Sequence, residues 1–169
     1  MSIKPKTSFL IILFIIVLVI CLGFFCKPLR YDPKFPEPDE IIMYKFNNKP
    51  KTISKTNKSF YKILQLIDLR FAASNNMNIK TEDNTNFYNS AKNNWNCIEF
   101  IYNNPVTLST DKNLQCSFKK AFFLINAEAS TDYCSKMIYG NDSYTASLEG
   151  LSIDSKIMIK LKNVVELFY

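Results

Sequence analysis

Histidine is absent from all 169 residues. Its absence removes imidazole general bases, Ser-His-Asp and Cys-His arrangements, and histidine-based metal sites. Glycine occurs only three times. Neither a G-x-x-x-x-G-K-S/T nor a G-x-G-x-x-G phosphate loop is present. None of the five cysteines forms a C-x-x-C pair. A thiol nucleophile at Cys134, beside Asp132 and Lys136, has no recognisable base to activate it. These absences remove the histidine-based, phosphate-loop and thiol-based catalytic classes. The chain reads as a non-enzyme without a cofactor or metal.

Alanine is also missing from the whole N-terminal part, with Ala72 the first to occur. This bears on the most prominent stretch, Phe9 to Phe25, which contains no charge, amide or proline. At 1.5 Å per residue such a run spans about 26 Å as a helix, close to the hydrocarbon thickness of a bilayer. A cleaved signal peptide has a shorter apolar run followed by small residues. Here Gly23 sits between Leu22 and Phe24. Neither Cys21 nor Cys26 has a small residue directly before it, as acylation would need. Residues 8–26 are therefore read as a retained transmembrane anchor, and residues 1–7 as a short cytoplasmic tail. Lys4 and Lys6 flank one side and Lys27, Arg30 and Lys34 the other, so the positive-inside rule barely decides orientation. A short tail crosses less readily than a domain that carries its own export signal. The expected topology is single-pass in the cell membrane, with the C-terminal domain outside the cytoplasm.

Residues 27–40 read as a Pro-rich linker. Pro28, Pro33, Pro36 and Pro38 favour an extended path, and Asp32, Glu37, Asp39 and Glu40 keep it hydrated. At about 3.1 Å per residue the linker reaches roughly 40 Å. Residues 41–169 then form the folded part. Fourteen Phe and nine Tyr in the chain are ample for one packed core.

Residues 41–46 and 51–55 read as a hairpin around Asn47-Asn48-Lys49-Pro50. Phe60, Ile63, Leu64, Ile67 and Phe71 fall at helical spacing, which predicts a helix from about Lys58 to Ala73, capped by Thr56 or Asn57. Residues 74–94 are polar and Asn-rich and read as a long loop, the most mobile part of the domain. Residues 95–102 alternate as a strand, Asn103-Asn104-Pro105 reads as a turn, and 106–108 as a short return strand. A further strand is predicted over 118–126, and a hairpin over 135–139 and 144–148. The tail from Asp154 to Phe168 fits a helix better than a strand, because Ile157, Leu161, Val164, Val165 and Phe168 keep a stripe for more than ten residues. The fold class is α+β, with a small antiparallel-rich sheet and two helices on one face.

The chain carries a net charge of +6. Setting aside Lys4 and Lys6, nineteen basic residues meet fifteen acidic ones, leaving +4. That is a poor signal for nucleic acid and a fair one for an anionic membrane or polymer nearby. From Ile41 to Ile67 there are six lysines and no acid before Asp68: Lys45, Lys49, Lys51, Lys55, Lys58 and Lys62. They are the candidate patch for an anionic partner, against the plain alternative of a solvated face. Lys58 and Lys62 open a helix, where the dipole disfavours cations. Outside the anchor region the cysteines are Cys97, Cys116 and Cys134. Three buried thiols is one reading; one bridge plus a leftover is the other, with Cys116–Cys134 closing the shorter loop.

The functional expectation is a single-pass membrane protein with a non-catalytic extracytoplasmic binding or interaction domain. Its partner is a protein or an anionic polymer, besides the membrane itself. Two alternatives stand beside it: an accessory subunit of a secretion, immunity or signalling complex, and a secreted or lipid-anchored form.

Overall fold

A computed structural model describes residues 34–110, 114–125 and 131–169. The expected tail, the anchor and the first half of the linker lie outside the described residues. Among the described residues no helix is long and apolar enough to cross a membrane.

Among the described residues seven strands and four helices follow one another: β1 (Glu40–Tyr44), β2 (Lys51–Ile53), α1 (Lys58–Ala72), β3 (Asn78–Thr81), α2 (Thr85–Asn94), β4 (Cys97–Ser109), β5 (Gln115–Leu124), α3 (Thr131–Cys134), β6 (Lys136–Gly140), β7 (Ala146–Glu149) and α4 (Ser155–Glu166). The strands form one sheet in the order β2-β1-β4-β5-β6-β7-β3, and every pairing is antiparallel. The α+β class with an antiparallel sheet is thus as the periodicity predicts.

Side chains alternate between the two faces of a strand. Register places Ile41, Met43, Ile98, Phe100 and Phe123 on one face. Phe71 of α1 reaches that face through Phe35, which touches Phe71, Phe100 and Phe123 at ring-centroid distances of 4.9, 5.6 and 5.9 Å. α1 packs beside α4 and buries Phe60, Ile63, Leu64, Leu66 and Ile67, while α4 buries Met158, Leu161, Val164 and Val165. Both helices are capped, the first by Asn57, one of the two residues expected there. Asn57 accepts from the Ser59 N–H at 2.9 Å, and Asp154 from Lys156 and Ile157 at 2.8 and 3.2 Å. Each cap satisfies donors that the first helical turn leaves open. The tail is a helix.

Four expectations need correction. First, residues 74–94 are not one loop. They contain β3, paired with β7, and α2. Second, the helices are not confined to one face. Tyr88 of α2 packs on Phe122 and Tyr144, at 5.1 and 4.6 Å, on the face opposite Phe100 and Phe123. Third, Asn103-Asn104-Pro105 lies inside β4, where the register shifts between Ile101 and Val106. A proline lacks the N–H that a regular ladder needs, and an irregularity in the pairing is where a strand tolerates one. Fourth, residues 34–40 are docked rather than free. Phe35 and Pro38 are buried. The Asp68 carboxyl accepts from the Lys34 and Phe35 N–H groups at 3.1 and 2.7 Å. Tyr102 donates to the Pro36 carbonyl at 2.8 Å, and Asn103 N–H to Asp39 Oδ2 at 2.7 Å.

Gly140, the last residue of β6, is needed for space. A Cβ there would meet the Ser143 carbonyl oxygen at 1.8 Å.

Candidate functional site

The six lysines do not form one block. Lys45 is half-buried and the other five are exposed. Ile41 pairs with Ile53 and Met43 with Lys51, so Lys55 lies at the start of β1 and Lys45 at its end. Lys55 is taken up by acids at that start, 3.1 Å from Glu37 and 3.8 Å from Asp39. Lys51 donates to the Phe168 carbonyl and stands 4.7 Å over the Tyr169 ring. Lys45 lies 5.7 Å from the same ring, and Tyr169 donates its hydroxyl to the Met43 carbonyl at 2.8 Å. The segment after α4 therefore binds the β1–β2 hairpin. Among the described residues no carboxylate pairs with Lys49, Lys58 or Lys62.

Beside Lys45 the structure opens a cleft of about 460 Å³, lined by Lys45, Phe46, Asn94, Trp95, Asn96, Lys162 and Glu166. Three separate segments meet there. Tyr44 pairs with Cys97, so the residues that leave β1 stand beside those that enter β4. Contacts of Phe168 and Tyr169 with the hairpin bring in the end of α4. Phe46 is 51% exposed, unusual for a phenylalanine. Its turn is held by an Asn48 N–H bond to the Lys45 carbonyl (3.0 Å) and an Asn48 amide bond to the Phe46 carbonyl (2.8 Å). Asn47 takes the left-handed conformation the turn requires, with φ 59°. Trp95 is half-buried and stacks on Tyr133 at 6.5 Å, which stacks on Phe87 at 5.0 Å. Of the lining residues, sequence reasoning singled out Lys45 alone. The tripeptide Asn94-Trp95-Asn96 carries the chain's one tryptophan between two amides, and that was the available signal.

A second cluster went unforeseen. Glu99 is 3% exposed and takes hydroxyl hydrogen bonds from Tyr144 on Oε1 and from Tyr44 on Oε2, with Tyr88 at 3.3 Å from Oε2. Burial, and then the neighbouring Glu99, push the Tyr44 and Tyr144 hydroxyls far above the ordinary phenol range. Tyr88 shifts the same way, chiefly by burial. All three phenols stay protonated donors, and the cluster pins α2 to the sheet. Glu99, Tyr44 and Tyr144 are buried there, and Tyr88 is half-buried.

Other polar groups are largely matched internally, although Arg70 Nη1 and Thr110 Oγ1 are buried without a hydrogen-bond partner among the described residues. Glu149 lies 2.7 Å from Lys80 and 2.9 Å from Lys136, and Glu82 lies 3.6 Å from Lys136. Arg70 is fully buried and donates to the Ser152 carbonyl at 3.0 Å and to the Cys134 carbonyl. Burial lowers its guanidinium to about 10. Cys97, Cys116 and Cys134 are buried thiols, and the Cys116–Cys134 bridge is not formed. Cys116 is on β5 opposite Leu108, whereas Cys134 ends α3 beside Arg70. Burial pushes all three thiols up, which keeps them protonated and unreactive. Among the described residues no three His, Cys, Asp or Glu side chains converge on a metal position. Compared with known proteins, the chain matches no family model, no curated protein and no solved structure.

Proposed function

We propose that this chain is a single-pass membrane-anchored protein whose folded domain, outside the cytoplasm, binds another molecule rather than transforming one. The apolar run from Phe9 to Phe25 supports the anchor. The cleft that holds Phe46 and Trp95 beside Lys45 supports binding, and it is the observation that carries the reading. An aromatic pair with a few polar groups in a concavity is the common composition of a recognition site.

The reading is tested on cells that express the full chain. It predicts that the protein stays with membranes through an alkaline wash and is digested by protease added outside intact cells. Its intact mass should include residue 1, because no small-residue cleavage site follows the apolar run. A mature start near residue 27, or protection from external protease, overturns the topology.

A specific observation favours a second reading, an accessory subunit of a membrane complex. Ile159 is 53% exposed and Leu167 80% exposed, and Ile153 before α4 is 41% exposed. Aliphatic side chains gathered on one helix and its flanks suit a protein neighbour. Copurification that depends on Ile159 and Leu167, with an intact cleft dispensable, distinguishes it.

A further inference from the structure

We infer that the cleft between Phe46 and Trp95 takes an acidic carbohydrate polymer, a chain of sugar rings bearing carboxylate or phosphate groups. The inference rests on the binding-domain reading above and deepens it.

β1 runs from Glu40 to Tyr44, and the cleft opens beyond its far end. The charges along the hairpin are segregated between its two ends. Glu37, Asp39 and Glu40 stand at the entry end, where Lys55 already matches two of them. Lys45, Lys49 and Lys51 stand at the far end, and Lys162 joins them from α4.

The lining decides the class of polymer. It has two aromatic rings, two amide-bearing residues and three charged groups, and no aliphatic side chain. Flat rings match the C–H face of a sugar, and amides match neighbouring hydroxyls as donor and acceptor. Lysines inside a concavity focus a positive potential on an acid group that follows along the chain. Glu166 accepts a hydroxyl and discriminates against a ligand that is uniformly anionic. A folded acidic protein needs about 800 Å² on each partner for a stable contact, which an open cleft with one exposed ring does not supply.

Trp95 is the only tryptophan in the chain, so its emission reports the cleft directly. The experiment titrates the full chain, held in neutral-lipid nanodiscs, with galacturonate hexamers and follows Trp95 fluorescence. The comparison probes are an uncharged hexaose, a poly-glutamate peptide of equal charge, and vesicles containing anionic lipid. A saturable change with galacturonate is expected, weaker with the uncharged sugar, weakened further by 0.5 M salt, and absent with the peptide and the vesicles. Phe46→Ala, at an exposed site, should weaken binding about 3–10-fold, the range for one aromatic stack. Lys45→Gln with Lys162→Gln should weaken it similarly and remove the salt dependence, while Lys58→Gln with Lys62→Gln should leave it unchanged. Thermal melts of each variant confirm that it is folded. No saturable change with galacturonate, equal binding of the peptide or vesicles, or an undiminished Phe46→Ala variant overturns the proposal. The titration reads the cleft wherever the protein resides, so its failure is distinct from failure of the membrane assay.

Discussion

At the scale of residues, the strongest constraint is the carboxyl of Glu99. A buried acid is tolerated only where donors surround it. Tyr44, Tyr88 and Tyr144 come from β1, α2 and the approach to β7, so one side chain ties three segments together. Tyr144→Phe leaves Oε1 without that donor inside the protein. The expected loss is about 1–3 kcal/mol of stability, read from thermal or denaturant unfolding. Tyr61→Phe, at a 44% exposed position, should change nothing measurable. Glu149 makes a pH-dependent contribution. A hydrogen bond from Lys80, and then contacts with Lys136, hold its carboxyl below the ordinary range against the effect of burial. A carboxyl lower in the folded state than in the unfolded one stabilises above its unfolded value of about 4.3, and loses that contribution as pH falls through the folded value. Glu149→Gln should therefore reduce stability near pH 7, flatten the acid limb of the profile, and converge on the parent at the acid end. Unfolding midpoints between pH 7 and pH 2 check this. Parallel profiles would show that the ion pairs are too screened to matter.

At the scale of elements, two kinds of segment behave differently. α1 and α4 carry their own instructions in an apolar stripe and a capping residue. Leu64 is fully buried, so Leu64→Ala should cost about 2–5 kcal/mol. α2 has little of its own. Ala91 is its one fully buried residue, and Thr, Asn and Ser are weak helix formers. It persists because Tyr88 is clasped by the sheet, and because Glu82 and Asn84 donate to the Thr145 and Tyr144 carbonyls at 3.1 and 2.8 Å. Lys80 in β3 and Lys92 in α2 should accordingly resist trypsin until the sheet itself opens. Early cleavage after either would show that β3 and α2 open independently of the rest. Pro105 follows the same logic: turn chemistry on one strand is overruled by the partner strand, once the ladder can skip the missing N–H.

At the scale of the whole molecule, the domain is polarised along β1. Its entry end is sealed by Phe35 under α1, and its far end bears the basic cleft. Phe35 is 1% exposed among Phe71, Phe100, Phe118 and Phe123. Phe35→Ala should cost about 3–5 kcal/mol and release residues 34–39, which raises hydrogen exchange at the Phe35 and Asp39 amides.

The sequence by itself determined the α+β class, the two long helices with their caps, both hairpins and the apolar N-terminal run. Those features are written in near-neighbour spacing, in periods of 3.6 and 2 and in turn residues, where the chain needs no distant partner. Only tertiary structure decided the rest. β3 and α2 exist through pairing with β7 and through Glu99, and Phe35 is core because α1 and the sheet leave a space for its ring. The lysine run was visible, but its division was not. Lys55 meets acids that lie 16 and 18 positions before it, and Lys45 joins Trp95 and Lys162 from across the chain. Spacing along a chain records what a helix or strand does to its own residues, whereas a site is built where separate elements meet, and that depends on the order and register of the sheet.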